Sequence, residues 1–123
     1  MTNILKRGSI AVVGAAESDL GQVAQHTSPV DLMAQATMRA LDDCGLTLKD
    51  VDGLFVAATQ VRMGPMSLAE YLRIKPKVFD GTQIGGSSFM THVAHAQMAI
   101  QLGLCEVAVI AYGSTQRSVS RAA

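Results

Sequence analysis

The residues whose types and spacing could do chemistry gather between Asp80 and Phe89, where the chain reads Asp-Gly-Thr-Gln-Ile-Gly-Gly-Ser-Ser-Phe. A helix-forming run, Met90 to Leu102, follows directly. An extended segment that enters a helix through small residues presents backbone N–H groups at the positive end of the helix dipole. Such a junction suits an anion or an activated nucleophile. Gly85, Gly86, Ser87 and Ser88 stand there, and they are the candidate substrate-binding residues. No residue is assigned as catalytic: a serine hydroxyl needs an adjacent general base, and none is evident. The competing reading of the same four residues is a tight turn followed by an N-cap.

The other chemically able residues are scattered. His92 and His95, three apart, occupy neighbouring positions on one helix face. A metal would need a third ligand, and no carboxylate lies at the matching spacing on that helix, so no metal site is assigned. The pair reads as polar positions facing an interface or a neighbouring element. Asp80 and Glu106 are isolated, which leaves no carboxylate pair for acid–base work, and His26 has no evident partner. In open α/β sheets ligands bind beyond the carboxyl ends of the strands. Cys44 closes a helix and Cys105 precedes a strand, both on the opposite edge, so they read as inert packed thiols. The turn at Gly85 to Ser88 lies on the correct edge, and so does Gly113 to Gln116. A Gly-x-Gly-x-x-Gly fingerprint and a phosphate loop are both missing, which disfavours a nucleotide-binding domain.

Stepping from residues to the chain, 123 residues suit one domain, residues 1–123. Ten basic side chains balance ten acidic ones, so there is no footprint for nucleic acid. Hydrophobic residues make up 49% and charged residues 16%, a composition that fits a surface partly covered by another domain or subunit. Two unpaired cysteines point to a reducing cytosol, and neither a signal peptide nor a membrane span is expected, so the location is read as cytoplasmic. The seven methionines read as core filler, although a flexible apolar tunnel would use the same residues.

The elements follow in order. Ser9 to Ala16 reads as a buried strand. Ser28-Pro29-Val30-Asp31 starts a helix that Gly45 ends, and Thr47 caps one further turn. Val51 to Thr59 is a second strand. Ser67 to Leu72 has capping-box spacing for a short helix. Lys77 to Gln83 is a third extended segment. The helix ending at Leu102 is apolar on most sides, so it is expected to lie between layers. Val107 to Ala111 is the clearest strand, and Gly113 to Ala123 is polar with no element expected. The alternation argues for an α/β layered fold with a mostly parallel sheet.

Ser9 to Ala16, Asp50-Val51-Asp52-Gly53-Leu54, Leu68 to Leu72, the turn at Gly85 to Ser88 and the run from Glu106 to Ser114 together resemble the N-terminal domain of thiolases. The nearest likeness is to the sterol-carrier-protein-type, lipid-transfer and steroid-degradation subgroup. The resemblance implies a thiolase-like layered fold with a buried central helix, here an incomplete N-terminal domain. It implies an acyl-CoA thioester as substrate, with no separate cofactor, in fatty-acid or steroid metabolism. It also implies a homodimer, or a partner chain supplying the C-terminal half. The family's nucleophilic cysteine falls on Gly86, and its serine on Ser88. That departure implies retro-aldol cleavage of a carbon–carbon bond in place of acyltransferase thiolysis. The alternative is a non-catalytic fragment that binds lipid or acyl-CoA or has a structural role.

Overall fold

The computed structural model describes residues 5–122, with side chains described as far as residue 119. Its elements are α1 (Pro29–Cys44), a 3-10 turn (Leu48–Asp50), β1 (Gly53–Val56), α2 (Gly64–Leu72), β2 (Val78–Asp80), α3 (Ser88–Gln101), β3 (Ala108–Ala111) and α4 (Gln116–Ala122).

The local chemistry explains most of these. Ser28 Oγ accepts from the Asp31 N–H at 3.1 Å, and the Asp31 carboxylate accepts from the Ser28 N–H at 2.8 Å. This reciprocal box starts α1, and Gly45, in the left-handed region at φ 74, stops it. The sheet is wholly parallel in the order β2-β1-β3. Leu54 lies beside Phe79 on one side and Val109 on the other. Asp52 sets the start of β3, because its carboxylate accepts from the Glu106 and Val107 N–H groups.

Alternation along β1 sorts its side chains between two layers. Leu54 and Val56 join Met33 and Ala34 of α1 and Leu68, Ala69 and Leu72 of α2 in the main core. Phe55 points the other way, to α3, where its ring centroid lies 6.0 Å from that of His92. Leu54, Met33 and Leu68 are fully buried, and each contributes about 1.5–3 kcal/mol of apolar burial. Gly113 lets β3 run close to α1: a Cβ there would strike the Pro29 carbonyl and sit 2.6 Å from Met33 Cγ.

Four expectations are corrected. Ser9 to Ala16 forms no strand. It crosses from α3 to α1 instead: Ser9 Oγ donates to Gln101 Oε1 at 2.8 Å, and the Ala15 N–H donates to Asp43 at 3.3 Å. With no ladder partner most of its apolar side chains stay in solvent, Val12 being 82% exposed. The second helix starts at Gly64, three residues early. Pro65 supplies its first turn, and Ser67 Oγ donates to the Arg62 carbonyl instead of capping. The helix at Met90 to Leu102 buries only the face with Ser88, His92, Ala96 and Ala99, leaving Met90, Met98 and Leu102 exposed. Finally, the tail carries α4, with the Val119 N–H bonded to the Thr115 carbonyl at 2.9 Å.

Candidate functional site

The carboxyl ends of β1 and β3 and the loop after β2 open onto a cleft of about 250 Å³. Ala57, Ala58 and Thr59 line it from the continuation of β1, and Gln83, Gly85 and Gly86 from the loop. Phe89 from the first turn of α3 and Tyr112 after β3 complete the lining. The two rings meet edge-on, with centroids 5.5 Å apart. A mostly apolar wall with a few polar groups suits a small organic ligand, and roughly 300–1,000 Å³ is usual for a whole one. At about 250 Å³ this cleft is smaller than that.

The four candidate residues divide. Gly85 and Gly86 line the cleft, whereas Ser87 and Ser88 do not. Gly85 sits at φ 80, a conformation that only glycine adopts freely. A Cβ on Gly86 would meet nothing within 4 Å, so the cleft has room where a side chain would stand. Ser87 is the N-cap residue of α3 but makes no side-chain cap bond. Ser88 is fully buried. Its hydroxyl accepts from the Ile84 N–H at 2.8 Å and donates to the Gly85 carbonyl at 2.7 Å. Ser88 fastens the loop.

Beneath the loop lies a cluster that the sequence does not display as one. Asp80 at the end of β2 accepts from the Thr82 N–H at 2.8 Å, and its other oxygen accepts from His95 Nδ1. Burial pushes the Asp80 carboxyl up, but the bonds from Thr82 and the His95 imidazole together outweigh it and hold the group below the usual carboxylate range. His92 Nε2 lies 2.9 Å from the Thr82 carbonyl. A carbonyl only accepts, so Nε2 carries the proton there. The reading of the two histidines as facing a neighbouring element holds, and Asp80 is not isolated. The available signal was positional: a carboxylate ending a strand, followed by two histidines one turn apart on the next helix.

The thiols play no part in the cleft. Burial, with the Asp52 charge as a second cause, raises the Cys105 pKa and keeps that group a protonated thiol. A wider groove of about 490 Å³ runs along the C-terminal end of α1, lined by Met38, Leu41, Leu46 and Lys49 among others. It lies away from the carboxyl ends of the strands, and its charged lining residues are Asp42 and Lys49. Among the described residues no three His, Cys, Asp or Glu side chains converge as a metal site requires. No described helix is long and apolar enough to cross a membrane.

No family model matches the chain. A 17-hydroxy-3-oxo-4-pregnene-20-carboxyl-CoA lyase of Mycobacterium tuberculosis is 31% identical over 116 residues, which cover 93% of this chain and 29% of the lyase. The solved structure of an Ltp2-ChsH2(DUF35) aldolase matches with a TM-score of 0.68 and 29% identity, over 89% of this chain and 30% of that one. The chain has a thiolase-like fold. Cerulenin-bound OleA of Xanthomonas campestris shares that fold, with a TM-score of 0.71 and 16% identity over 82% of this chain and 32% of that one. So does the 3-oxoacyl-(acyl carrier protein) synthase III of Xanthomonas oryzae, with a TM-score of 0.71 and 14% identity over 80% and 41% of the respective chains. The chain thus spans about a third of the length of the proteins it matches.

Proposed function

We propose that this thiolase-like chain binds the thioester end of an acyl-CoA in the Gly85–Gly86 cleft and belongs to an assembly that cleaves a carbon–carbon bond by a retro-aldol reaction. The observation that carries the reading is Gly86: it stands open in the cleft at the head of α3, with no nucleophilic atom there to accept an acyl group. Thiolysis needs that nucleophile. Retro-aldol cleavage does not.

The similar lyase is named for a substrate with a 17-hydroxyl and a CoA thioester on carbon 20. Hydroxyl and thioester carbonyl are then placed as in a β-hydroxy thioester. In a retro-aldol step a base takes the hydroxyl proton and a ketone forms at the carbinol carbon. The carbon–carbon bond breaks, and its electron pair passes to the thioester as an enolate, which is then protonated. The protein must supply a base and donors for the enolate oxygen. Thr59, Gln83 and Tyr112 place polar side chains in the cleft, but none of its lining residues is a carboxylate or histidine. In this reading the base comes from outside this lining, from a second copy or from a partner chain supplying the rest of the thiolase-like fold. A fatty or steroid acyl-CoA fits the site equally at the thioester end.

A second reading has the chain bind acyl-CoA without cleaving anything, since no carboxylate or histidine lines the cleft. One experiment addresses both. Titration calorimetry with a short acyl-CoA and with a 17-hydroxy steroid acyl-CoA should register binding, weakened at least about tenfold by Gly86→Trp, a bulk that fills the cleft. Chromatography of the same mixtures should find free ketone only when a completing chain is present. No binding of either thioester would overturn the proposal, and binding without ketone under every pairing would leave the second reading standing alone.

A further inference from the structure

The loop that brings Gln83, Gly85 and Gly86 into the cleft has little packing of its own, since a Cβ on either glycine would meet no atom within 4 Å. Side chains of α3 and the end of β2 hold it. The Thr82 N–H is taken by Asp80, the Thr82 carbonyl by His92, and the Ile84 N–H and Gly85 carbonyl by Ser88. Asp80 is in turn held by His95. The loop is therefore fastened to one face of α3 and to the end of β2.

His92 is the unusual member. It is fully buried, and its second ring nitrogen, Nδ1, has no hydrogen-bond partner. With the proton on Nε2, Nδ1 is an acceptor shut away from water, which is unfavourable. Its surroundings are aromatic: Phe55 lies 6.0 Å away and Phe89 6.1 Å away by ring centroid. A leucine would suit that setting without the orphaned nitrogen. What leucine could not do is hold the Thr82 carbonyl.

We infer that His92 is a positioning residue for the cleft: its Nε2–H fixes the Thr82 carbonyl, and with the Asp80–His95 pair it sets where Gly85 and Gly86 stand relative to the wall formed by Phe89. The ring also supports that wall directly, meeting Phe89 edge-on at 83°. The inference rests on the proposed reading of the cleft as the thioester site, but its structural part is tested separately.

The test compares His92→Gln, whose terminal amide reaches the same distance as Nε2, with His92→Asn, whose amide stops short, and His92→Leu. Amide hydrogen exchange read at Thr82 and Ile84 reports the loop, while Leu54 and Val56 report the sheet. Exchange at Thr82 and Ile84 should rise at least about tenfold in His92→Leu and His92→Asn with the sheet amides unchanged, and His92→Gln should restore protection. Equal acceleration of the sheet amides, an unmoved loop, or failure of glutamine to restore it would each overturn the assignment. If His92→Leu does not fold, His95→Leu, at the half-buried end of the cluster, is read in the same way. Titration with a short acyl-CoA then separates the two readings. Loss of affinity in parallel with loop exchange supports both, whereas a loop effect with no thioester binding even in the unaltered chain sinks the cleft and leaves His92 as the loop's fastener.

Discussion

At Gly86 the absence of a side chain is a chemical statement, because the backbone there would accept one. The position has open space around it and lies outside the left-handed region. Gly86→Cys should therefore fold with a stability change within about 0.5 kcal/mol. The new thiol would stand at the head of α3, where the helix dipole pulls a thiol below its ordinary value of about 8.5. Iodoacetamide labelling against pH should reveal a half-reaction point under pH 8, well clear of the buried Cys105. A thiol that labels no faster than Cys105 would mean that the cleft is closed at this point. Asp80 gives a pH prediction. Its folded pKa is depressed, so its contribution is present above the unfolded value of about 3.9 and is lost as pH falls through the folded one. Asp80→Asn should cost about 1.5–3 kcal/mol at neutral pH, a hydrogen-bonded charge being lost. It should also flatten the fall in melting temperature between pH 5 and pH 2. An acid limb as steep as that of the unaltered chain would show that Asp80 contributes nothing to it.

At the scale of elements, the strands are short and their packing carries them. Only three residues pair β1 with β2 and four pair β1 with β3. The close approach of α1 to the end of β3 is accordingly important, and Gly113 is where it happens. Gly113→Ala would push the chain off the Pro29 carbonyl and Met33, an overpacking that should cost about 1–3 kcal/mol. Thermal unfolding of the variant measures it, and an unchanged midpoint would mean that α1 shifts freely. This scale also separates what the sequence displays from what it hides. α1 was legible to the residue because its signals are local: Ser28, Pro29 and Asp31 at one end, Gly45 at the other. Ser9 to Ala16 was misread because strand propensity speaks only to a willingness to extend. Whether a strand forms depends on a free neighbour with matching hydrogen bonds, and the segment instead bonds Gln101 and Asp43 through side chains. The start of α2 was misplaced because Ser67 had the spacing of a cap, while its hydroxyl was drawn to Arg62.

For the molecule as a whole, the distribution of apolar surface matters most. One face of the sheet packs against α1 and α2. On the other, α3 covers Phe55 and leaves Met90, 73% exposed, and its C-cap Leu102, 66% exposed, to solvent. Apolar area of this kind is ordinarily buried against a further layer. It accords with a chain that spans 29% of a similar lyase. The cleft tells the same story in chemical terms, since it has walls and polar groups but no carboxylate or histidine in its lining. Residues 1–123 alone should bind a thioester but release no cleavage product, with turnover below detection in a coupled assay for free CoA and ketone. Turnover that follows the protein through purification would refute this and place a base within the chain.

The sequence by itself determined the alternation of helices and strands, the caps of α1, and the resemblance to thiolases with its expectation that Gly86 stands at the nucleophile position. These are matters of residue type, local spacing and chain order. Only the tertiary structure decided that Ser88 is a buried fastener, that Asp80, His92 and His95 form one cluster, and that Phe89 and Tyr112 wall the cleft. Each of those depends on which face of a strand or helix meets its neighbour. Residues 12 to 15 positions apart, such as Asp80 with His92 and His95, come together only after the strand has joined its sheet and the helix has packed back across it.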